Sequence, residues 1–370
     1  MAIPSFHRQA GVALFAALIL ILALAFILAN IFYRHQIDIS QSSQALHRDQ
    51  AQLLALSGEN WARQLLDDDK ATVDHFGELW AQAIPAMPVD GGLLNGCISD
   101  LQGRFNLNSF KDHKSPQLQS ERASNIANFT LTWERLLALL EIPVFAGRIE
   151  AIIDWIDGDS ILVGSSSAEQ DDYAAMLPPR MPADQIMVEP SELASVMGYE
   201  IFEVQTLMPW LTALPEATPI NINTASDELL LALGIDQDSL FRDLVMDNRP
   251  FDSLQDFYNA LVPNFGKDNE EVKQRWPDTL VDIKSQYFQL YIEVLLGEAR
   301  IEVKSVIKRP ASGIPVILSR ELTTVPASLP RDSATDLKKL VGGAETGSDS
   351  NPDDPLDTTD VQPACLMIEA

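Results

Sequence analysis

The first pattern along the chain is an uncharged apolar run of 22 residues from Val12 to Tyr33. As an α-helix this run would be about 33 Å long, which is enough to cross the hydrocarbon core of a bilayer. Beyond the run, large apolar residues recur at helical spacings with charged residues between them: Leu46, Leu53, Leu54, Trp61, Leu65 and Leu66. The pattern therefore predicts one long helix, with a transmembrane part at 12–33 and an amphipathic continuation at 34–66.

The pattern after this helix changes twice. Short strand-like segments at 79–84 and 94–100 are bounded by proline and glycine. The spacing then becomes mostly helical, with predicted helices at 126–141, 145–156, 191–197, 201–207, 240–246 and 254–261, and one capped by Asn223 or Thr224. Alternating apolar residues return at 287–296, 301–307 and 314–322, which predicts an antiparallel meander.

An amphipathic helix needs a surface on which to bury its apolar stripe, and an antiparallel sheet supplies one. We therefore predict an α+β fold in which the long N-terminal helix packs on an antiparallel sheet, with a large all-α domain inserted between early and late strands. The predicted regions are a leader at 1–11, the transmembrane helix at 12–33, its continuation at 34–66, the first part of the α/β domain at 67–114, the all-α insert at 115–280, the returning strands at 281–325, and an acidic, disordered tail at 326–370.

The short polar leader ends in Gly11, directly before the apolar run. A secretory signal peptide has its cleavage site after the apolar segment, among small residues, and no such site follows Asn30. The arrangement resembles the prepilin leader of type IV pilins and type II secretion pseudopilins, which implies cleavage by a prepilin peptidase between Gly11 and Val12. The alternative is an uncleaved signal anchor. Because a prepilin peptidase works on the cytoplasmic side, the bulk of the chain would lie outside.

The fifth residue of the mature chain would then be Ala16. Pilin-like subunits usually carry a glutamate there, whose carboxylate neutralises the α-amino group of the subunit above in an apolar core. A subunit with nothing above it has no amine to neutralise, so Ala16 fits a subunit at the tip of a fibre. Alternatively, Ala16 is simply an apolar residue of a membrane anchor.

The composition excludes several classes of function. A net charge of −27 argues against nucleic acid as the main partner. The two cysteines, Cys97 and Cys365, form no metal-binding motif, and in an oxidising compartment they can either pair or remain free. The sequence contains no G-x-S-x-G, P-loop or H-E-x-x-H motif, and no other catalytic constellation, so we do not expect an enzyme or a small-molecule substrate.

Six acidic residues fall within 19 positions of a loop rich in glycine and serine: Asp154, Asp157, Asp159, Glu169, Asp171 and Asp172. Hard oxygen ligands of this kind suit Ca²⁺, which takes six to eight oxygens. The spacing is not that of an EF-hand loop. These residues are therefore candidate calcium ligands, and the alternative is a solvated acidic surface.

The segment from Asn221 to Phe251 has the outline of a helix–hairpin–helix, a motif that holds DNA phosphates through backbone amides. Here Gly234-Ile235 is followed by Asp236-Gln237-Asp238, and two acids beside a phosphate would repel it. We therefore interpret the hairpin as a packing or protein-interaction element. The alternative function is a membrane-anchored, exported DNA-binding protein that uses this hairpin.

Several segments together resemble protein K of the type II secretion pathway, a minor pseudopilin: 11–14, 100–108, 153–157, 219–225 and 285–288. The resemblance spans about 12–325 and leaves out the acidic tail. It implies a pseudopilin fold with a large helical insert, processing by prepilin peptidase with methylation, and a place at the pseudopilus tip with the minor pseudopilins I and J. It also implies a single-pass protein of the inner membrane, with a cytoplasmic N-terminus and a periplasmic bulk.

Overall fold

The computed structural model describes residues 10–69, 72–82, 84–112, 128–145, 147–164, 167–234 and 239–326. Helix α1 runs without a break from Ala10 to Asp68, over 59 residues and about 89 Å. This confirms the predicted long helix. Within the described residues, α1 is the helix whose length and apolar composition suit a membrane span, and its side chains from Leu14 to Tyr33 are exposed.

A five-stranded antiparallel sheet packs on the second half of α1. Its strands are β1 (Ile84–Val89), β2 (Gly92–Asp100), β7 (Tyr287–Leu296), β8 (Ala299–Lys308) and β9 (Val316–Pro326), adjacent in that order. The predicted meander is confirmed as β7–β9. The predicted strand at 79–84 is wrong: residues 79–81 form a 3₁₀ turn that buries Trp80 against Phe288, with ring centroids 5.1 Å apart, and β1 starts at Ile84.

Small residues form much of the seam between α1 and the sheet. Ala51, Ala55, Gly58 and Ala62 follow one another at spacings of three and four, and the three alanines are fully buried. A Cβ at Gly58 would lie 2.9 Å from Ile292 Cδ1, so the Ile292 side chain occupies the space that a larger residue would need. Of the predicted apolar stripe, Leu66 is buried and Leu54 and Leu65 are partly buried in this core. Leu46, Leu53 and Trp61 are exposed on α1, so their part of the prediction is wrong.

The region between β2 and β7 is mostly helical, as predicted. Its helices are α2 (Phe129–Leu139), α3 (Arg148–Ile156), α4 (Gln170–Ala174), α5 (Ile201–Leu207), α6 (Asp227–Leu233), α7 (Leu240–Asn248), α8 (Leu254–Phe265) and α9 (Asn269–Arg275). Shorter 3₁₀ turns cover 107–112, 190–195 and 208–210, so the predicted helix at 191–197 is a 3₁₀ turn. The N-cap of α6 is Ser226, whose side chain accepts from the Leu229 amide, and neither Asn223 nor Thr224 caps it.

Two short pairs of parallel strands, not predicted from the sequence, join this helical region to its flanks. Strand β3 (Phe105–Asn106) pairs with β4 (Leu211–Thr212), and β5 (Ile220–Asn221) pairs with β6 (Val281–Asp282). The helical region also has its own apolar core, separate from the core between α1 and the sheet. The insert is therefore a folded unit attached through β3–β6.

Some predictions concern residues outside the described ranges. These are the leader at 1–9, residues 113–127 with the predicted starts of the insert and of its first helix, residues 235–238 of the hairpin, and the acidic tail from 327 onward with Cys365.

Candidate functional site

The acidic loop begins on the buried side of α3. The residues of this helix, Arg148 to Ile156, are almost all buried. Asp154 is one of them and has no exposed surface. One oxygen of Asp154, Oδ1, accepts from the Val163 amide at 3.0 Å, which folds the following loop back over the helix. The other oxygen, Oδ2, is buried and has no hydrogen-bond donor.

Three more carboxylates come together beside Asp154. Asp157, Asp159 and Glu169 each offer an oxygen, and these atoms lie within 4.8 Å of one another. Ligand oxygens around a Ca²⁺ ion at about 2.4 Å can be at most about 4.8 Å apart, so the spacing matches a shared cation. Both oxygens of Glu169 and one of Asp157 are also buried without a hydrogen-bond donor.

The electrostatics of this group are unfavourable without a cation. Burial, together with the charges of neighbouring carboxylates, raises the pKa of Asp157 to about 6 and that of Glu169 to about 7. Burial also raises the pKa of Asp154, while the nearby polar groups of Ser167, Val163 and Ala168 lower it. The cluster therefore holds a proton more readily than free carboxylates do.

The structure separates the six predicted ligands into two groups. Asp157, Asp159 and Glu169 are brought together with the charge of Asp154 close by. Asp171 and Asp172 lie exposed in the first turn of α4. Asp172 instead accepts from the Glu169 amide at 3.1 Å, as part of the helix cap. The sequence analysis missed Asp184, whose charge also raises the pKa values of Asp157 and Glu169. Asp184 lies after a proline-rich stretch, so sequence spacing gave no signal for it.

A second buried polar group lies where the insert meets the sheet. Asp100, at the end of β2, accepts from Thr224 Oγ1 and Ser285 Oγ at 2.6 Å each and from Asn221 Nδ2 at 3.0 Å. Its other oxygen accepts from the Gln102 amide at 2.8 Å. Burial raises the pKa of Asp100, and these four hydrogen bonds oppose that shift.

Arg309 supplies the positive charge at this junction. Its guanidinium contacts both carboxylate oxygens of Asp74, at 2.5 and 2.6 Å, and Asp69 at 2.6 Å, and it donates to the Ser285 carbonyl. Even so, burial outweighs the attraction to Arg309 and raises the pKa of Asp74 to about 7. The residues share this site although Arg309 is more than 200 positions from Asp74 in sequence.

Three asparagines in the segments 100–108 and 219–225 connect loops through their side-chain amides. Asn106 donates to the Glu216 carbonyl and accepts from the Leu214 amide, at 2.8 and 3.0 Å. Asn108 makes the same kind of bridge to Met187, and Asn223 to Phe251. Each side-chain amide thus replaces a missing backbone partner at a point where two loops meet. The motifs at 100–108, 219–225 and 285–288 therefore meet in one structural junction.

The hairpin segment uses its arginines within the fold. Arg242 pairs with Asp227 and Asp243, and Arg249 donates to the Ala225 carbonyl at 3.0 Å. Both guanidinium groups are therefore engaged by other groups of the fold and do not point to a phosphate-binding role.

The N-terminal positions that the sequence analysis singled out lie on α1. Gly11 and Val12 are the second and third residues of α1, and Ala16 is exposed on its surface.

Comparison with known proteins gives consistent matches. The family model for type II secretion system protein K matches residues 103–216, the stretch that starts at the junction and contains the acidic loop. Type II secretion system protein K of Pseudomonas aeruginosa is 29% identical over 342 residues, covering 90% of this chain and 98% of that protein. The protein of the same name from Aeromonas hydrophila is 28% identical and covers 86% and 98%.

A solved structure shares the fold. One chain in the crystal structure of the GspK-GspI-GspJ complex from enterotoxigenic Escherichia coli superposes with a TM-score of 0.60 at 21% sequence identity. The match covers 76% of this chain and 99% of that one. The sequence relatives, which are matched over nearly their whole length, the family model and the shared fold all agree: the chain is similar to type II secretion system protein K.

Proposed function

We propose that the chain is a minor pseudopilin that caps the tip of the type II secretion pseudopilus and helps to start its assembly for protein export across the outer membrane. The observation that carries this proposal is the fold: an exposed apolar helix continues into a helix–sheet unit, and a large helical insert is attached to the sheet through β3–β6. An insert of this size suits the end of a fibre, where no further subunit has to stack above it. The chain acts in this proposal by assembly and not by catalysis.

A stripe on α1 supports contacts with other pseudopilins, for which the minor pseudopilins I and J are the proposed partners. Ile39, Leu46 and Leu53 are exposed at heptad spacing, and Trp61 extends the same face. Apolar residues at this spacing suit packing against another helix. The complex of GspK with GspI and GspJ is the assembly seen for the structural relative.

Copurification tests the partner assignment. We expect Leu53→Glu to abolish copurification with the minor pseudopilins I and J, because it places a charge in the apolar stripe. Leu79→Glu is the matched control, since Leu79 is an equally exposed leucine outside α1. If both variants retain the partners, the stripe does not form the interface.

The N-terminus supports processing by a prepilin peptidase, with Val12 as the first residue of the mature chain. The mature protein would be anchored once in the inner membrane, with the bulk in the periplasm. We expect mass spectrometry of the membrane-extracted protein to find a start at Val12, and replacement of Gly11 by a bulky residue to leave the leader attached. A start at Met1 or after Asn30 would refute this processing.

Ala16 supports the tip position. In a tip subunit, Ala16→Glu would meet no amine from a subunit above, so we expect it to insert into the membrane without creating a required contact. If Ala16→Glu were built into the fibre shaft as a repeating subunit, or if the wild type were found along the shaft, the tip assignment would be wrong.

The acidic loop supports a structural Ca²⁺ site formed by Asp154, Asp157, Asp159 and Glu169. Three carboxylates converge there with the charge of Asp154 close by, and Asp154 and Glu169 carry buried oxygens without donors. A divalent cation would satisfy these oxygens and offset their mutual repulsion. Equilibrium dialysis of the full chain should find bound calcium that Asp157→Ala with Asp159→Ala removes. The same amount bound to the double variant would contradict the assignment.

A further inference from the structure

The face of the sheet opposite α1, here called the outer face, has a buried centre. Leu94 and Ile98 of β2 face the core with α1, so Cys97 between them points to the outer face. Tyr291 of β7 lies directly across from Cys97 in the ladder. Cys97 is 1% exposed and Tyr291 is 3% exposed, and the two form an apolar cluster with no third member among the described residues.

The buried centre is wider than this pair, because Ser99 and Glu293, two positions along β2 and β7 on the same face, are 6% and 4% exposed. Leu93 and Leu295, further along β2 and β7, are 44% and 37% exposed. Lys304, which pairs with Tyr291 on the other side, is exposed. Side chains on one face of a sheet stand next to one another, so each covers the sides of its neighbours but not their outer ends. A tyrosine ring buried to this extent therefore needs another segment of chain above it.

Cys97 is disulfide-bonded, and the sequence contains one other cysteine, Cys365. We infer that Cys97 is joined to Cys365 and that the C-terminal segment 364–368 docks on the outer face over Tyr291. This segment contains Leu366, Met367 and Ile368 in an otherwise polar and acidic tail. It supplies the apolar cover that the outer face requires.

The chain length and the surrounding charges fit this docking. Cys365 lies 39 residues after Pro326, the last residue of β9. The path from β9 to β2 crosses three strand spacings, or about 14 Å, and a chain that extends about 3.3 Å per residue reaches it easily. Beside the covered pair, Arg300 contacts Glu293 at 2.7 Å and Glu302 at 2.8 Å, so the flanking charges are paired.

The bond closes the acidic stretch 327–364 into a loop across the sheet. It forms when the two thiols lose two protons and two electrons to a disulfide oxidant, such as an oxidised thiol–disulfide exchange protein, which becomes a dithiol. The docked segment thus depends on an oxidising compartment, and reduction releases it from the outer face.

Peptide mapping of the full-length, detergent-extracted protein tests the bond. Under non-reducing conditions trypsin should yield the peptides 71–104 and 340–370 joined, and reduction should separate them. Two free thiols per denatured chain, or a Cys97 bond to a second chain seen as a dimer on a non-reducing gel, would overturn the inference.

The docking is tested separately from the bond. We expect Leu366→Asp to lower the melting temperature while the disulfide still forms, because it puts a charge against the tyrosine cluster. Leu356→Asp is the matched control, because Leu356 is a leucine of the same tail outside the docking segment, and it should leave the melting temperature unchanged. If both variants melt like the wild type, the tail is tethered by the bond but does not cover the outer face.

Discussion

Two groups of buried carboxylates in this protein are stabilised in different ways. At the junction, Asp74 and Asp100 are buried, and Arg309, two hydroxyls and an asparagine amide surround them. In the acidic loop, Asp154 and Glu169 are just as buried, but the charged groups that shift their pKa values are other carboxylates. The difference teaches that the first group has its positive charge and hydrogen-bond donors within the chain, whereas the second has no positively charged partner among the described groups that shift its pKa values and is where the proposed Ca²⁺ would bind.

The largest effect is expected from removing the junction cation. Arg309→Met leaves Asp74 and Asp69 without their positive partner and removes the hydrogen bond to Ser285. Breaking a buried pair in this way costs about 3–5 kcal/mol in the free energy of unfolding. Thermal or denaturant unfolding of the full chain measures the loss.

A surface pair provides the control for this prediction. Arg242 contacts Asp227 and Asp243 while remaining partly exposed, so Arg242→Met should cost at most about 1 kcal/mol. Adding Asp74→Asn to Arg309→Met should recover part of the loss, because it removes the unpaired buried charge. Equal losses in the two arginine variants would mean that the junction charges are not coupled as described.

The second-largest effect on stability is expected at the acidic loop, on adding calcium. Calcium at a hundredfold excess over its dissociation constant should stabilise the protein by about 2.7 kcal/mol. Asp157→Ala with Asp159→Ala should remove most of this gain and leave the calcium-free melting temperature unchanged or slightly raised. Asp171→Asn, outside the cluster, should keep the gain.

A third effect concerns the backbone at the two sites. A Cβ at Gly103 would lie 2.7 Å from the carbonyl oxygen of Thr224, where the backbone cannot easily move. Gly103→Ala should therefore destabilise the protein by about 1–3 kcal/mol. A Cβ at Gly164 in the acidic loop would meet the flexible Glu150 side chain at 3.1 Å, so Gly164→Ala should change stability by less than about 0.5 kcal/mol. Similar unfolding curves for the two variants would show that the junction tolerates movement.

How much of these sites the sequence could predict depends on the range of the contacts. The long helix and the strands β7–β9 follow from local periodicity. Asp154, Asp157, Asp159 and Glu169 lie within 16 positions, so composition alone indicated their cluster.

The junction could not be predicted, because it joins residues from distant segments, and local pattern carries no information on such pairing. The seam on α1 was missed because alanine and glycine are weak signals in a search for large apolar residues. Their small size, which allows close approach to the sheet, becomes meaningful only once the sheet is in place.

The smallest effect is a pH dependence that distinguishes the two groups. A carboxyl whose pKa is higher in the folded than in the unfolded chain stabilises the fold while it is protonated, and this contribution is lost as pH rises through the folded value. For Asp157 and Glu169 the folded pKa values are about 6 and about 7, above their ordinary values near 4. The calcium-free protein should therefore lose stability as pH rises from about 4, the unfolded pKa values, to about 7, the higher folded value.

Asp74, with a pKa raised to about 7, contributes a slope of the same sign at all calcium concentrations. The part of the slope that calcium abolishes therefore reports the loop alone. At any pH below about 6 the calcium gain should be smaller than its saturated value, because protons compete with the cation for the same carboxylates. Melting temperatures across this range, with and without calcium, measure the difference. Parallel curves for the wild type, or an equal slope in Asp157→Ala with Asp159→Ala, would show that these carboxylates do not bind the cation.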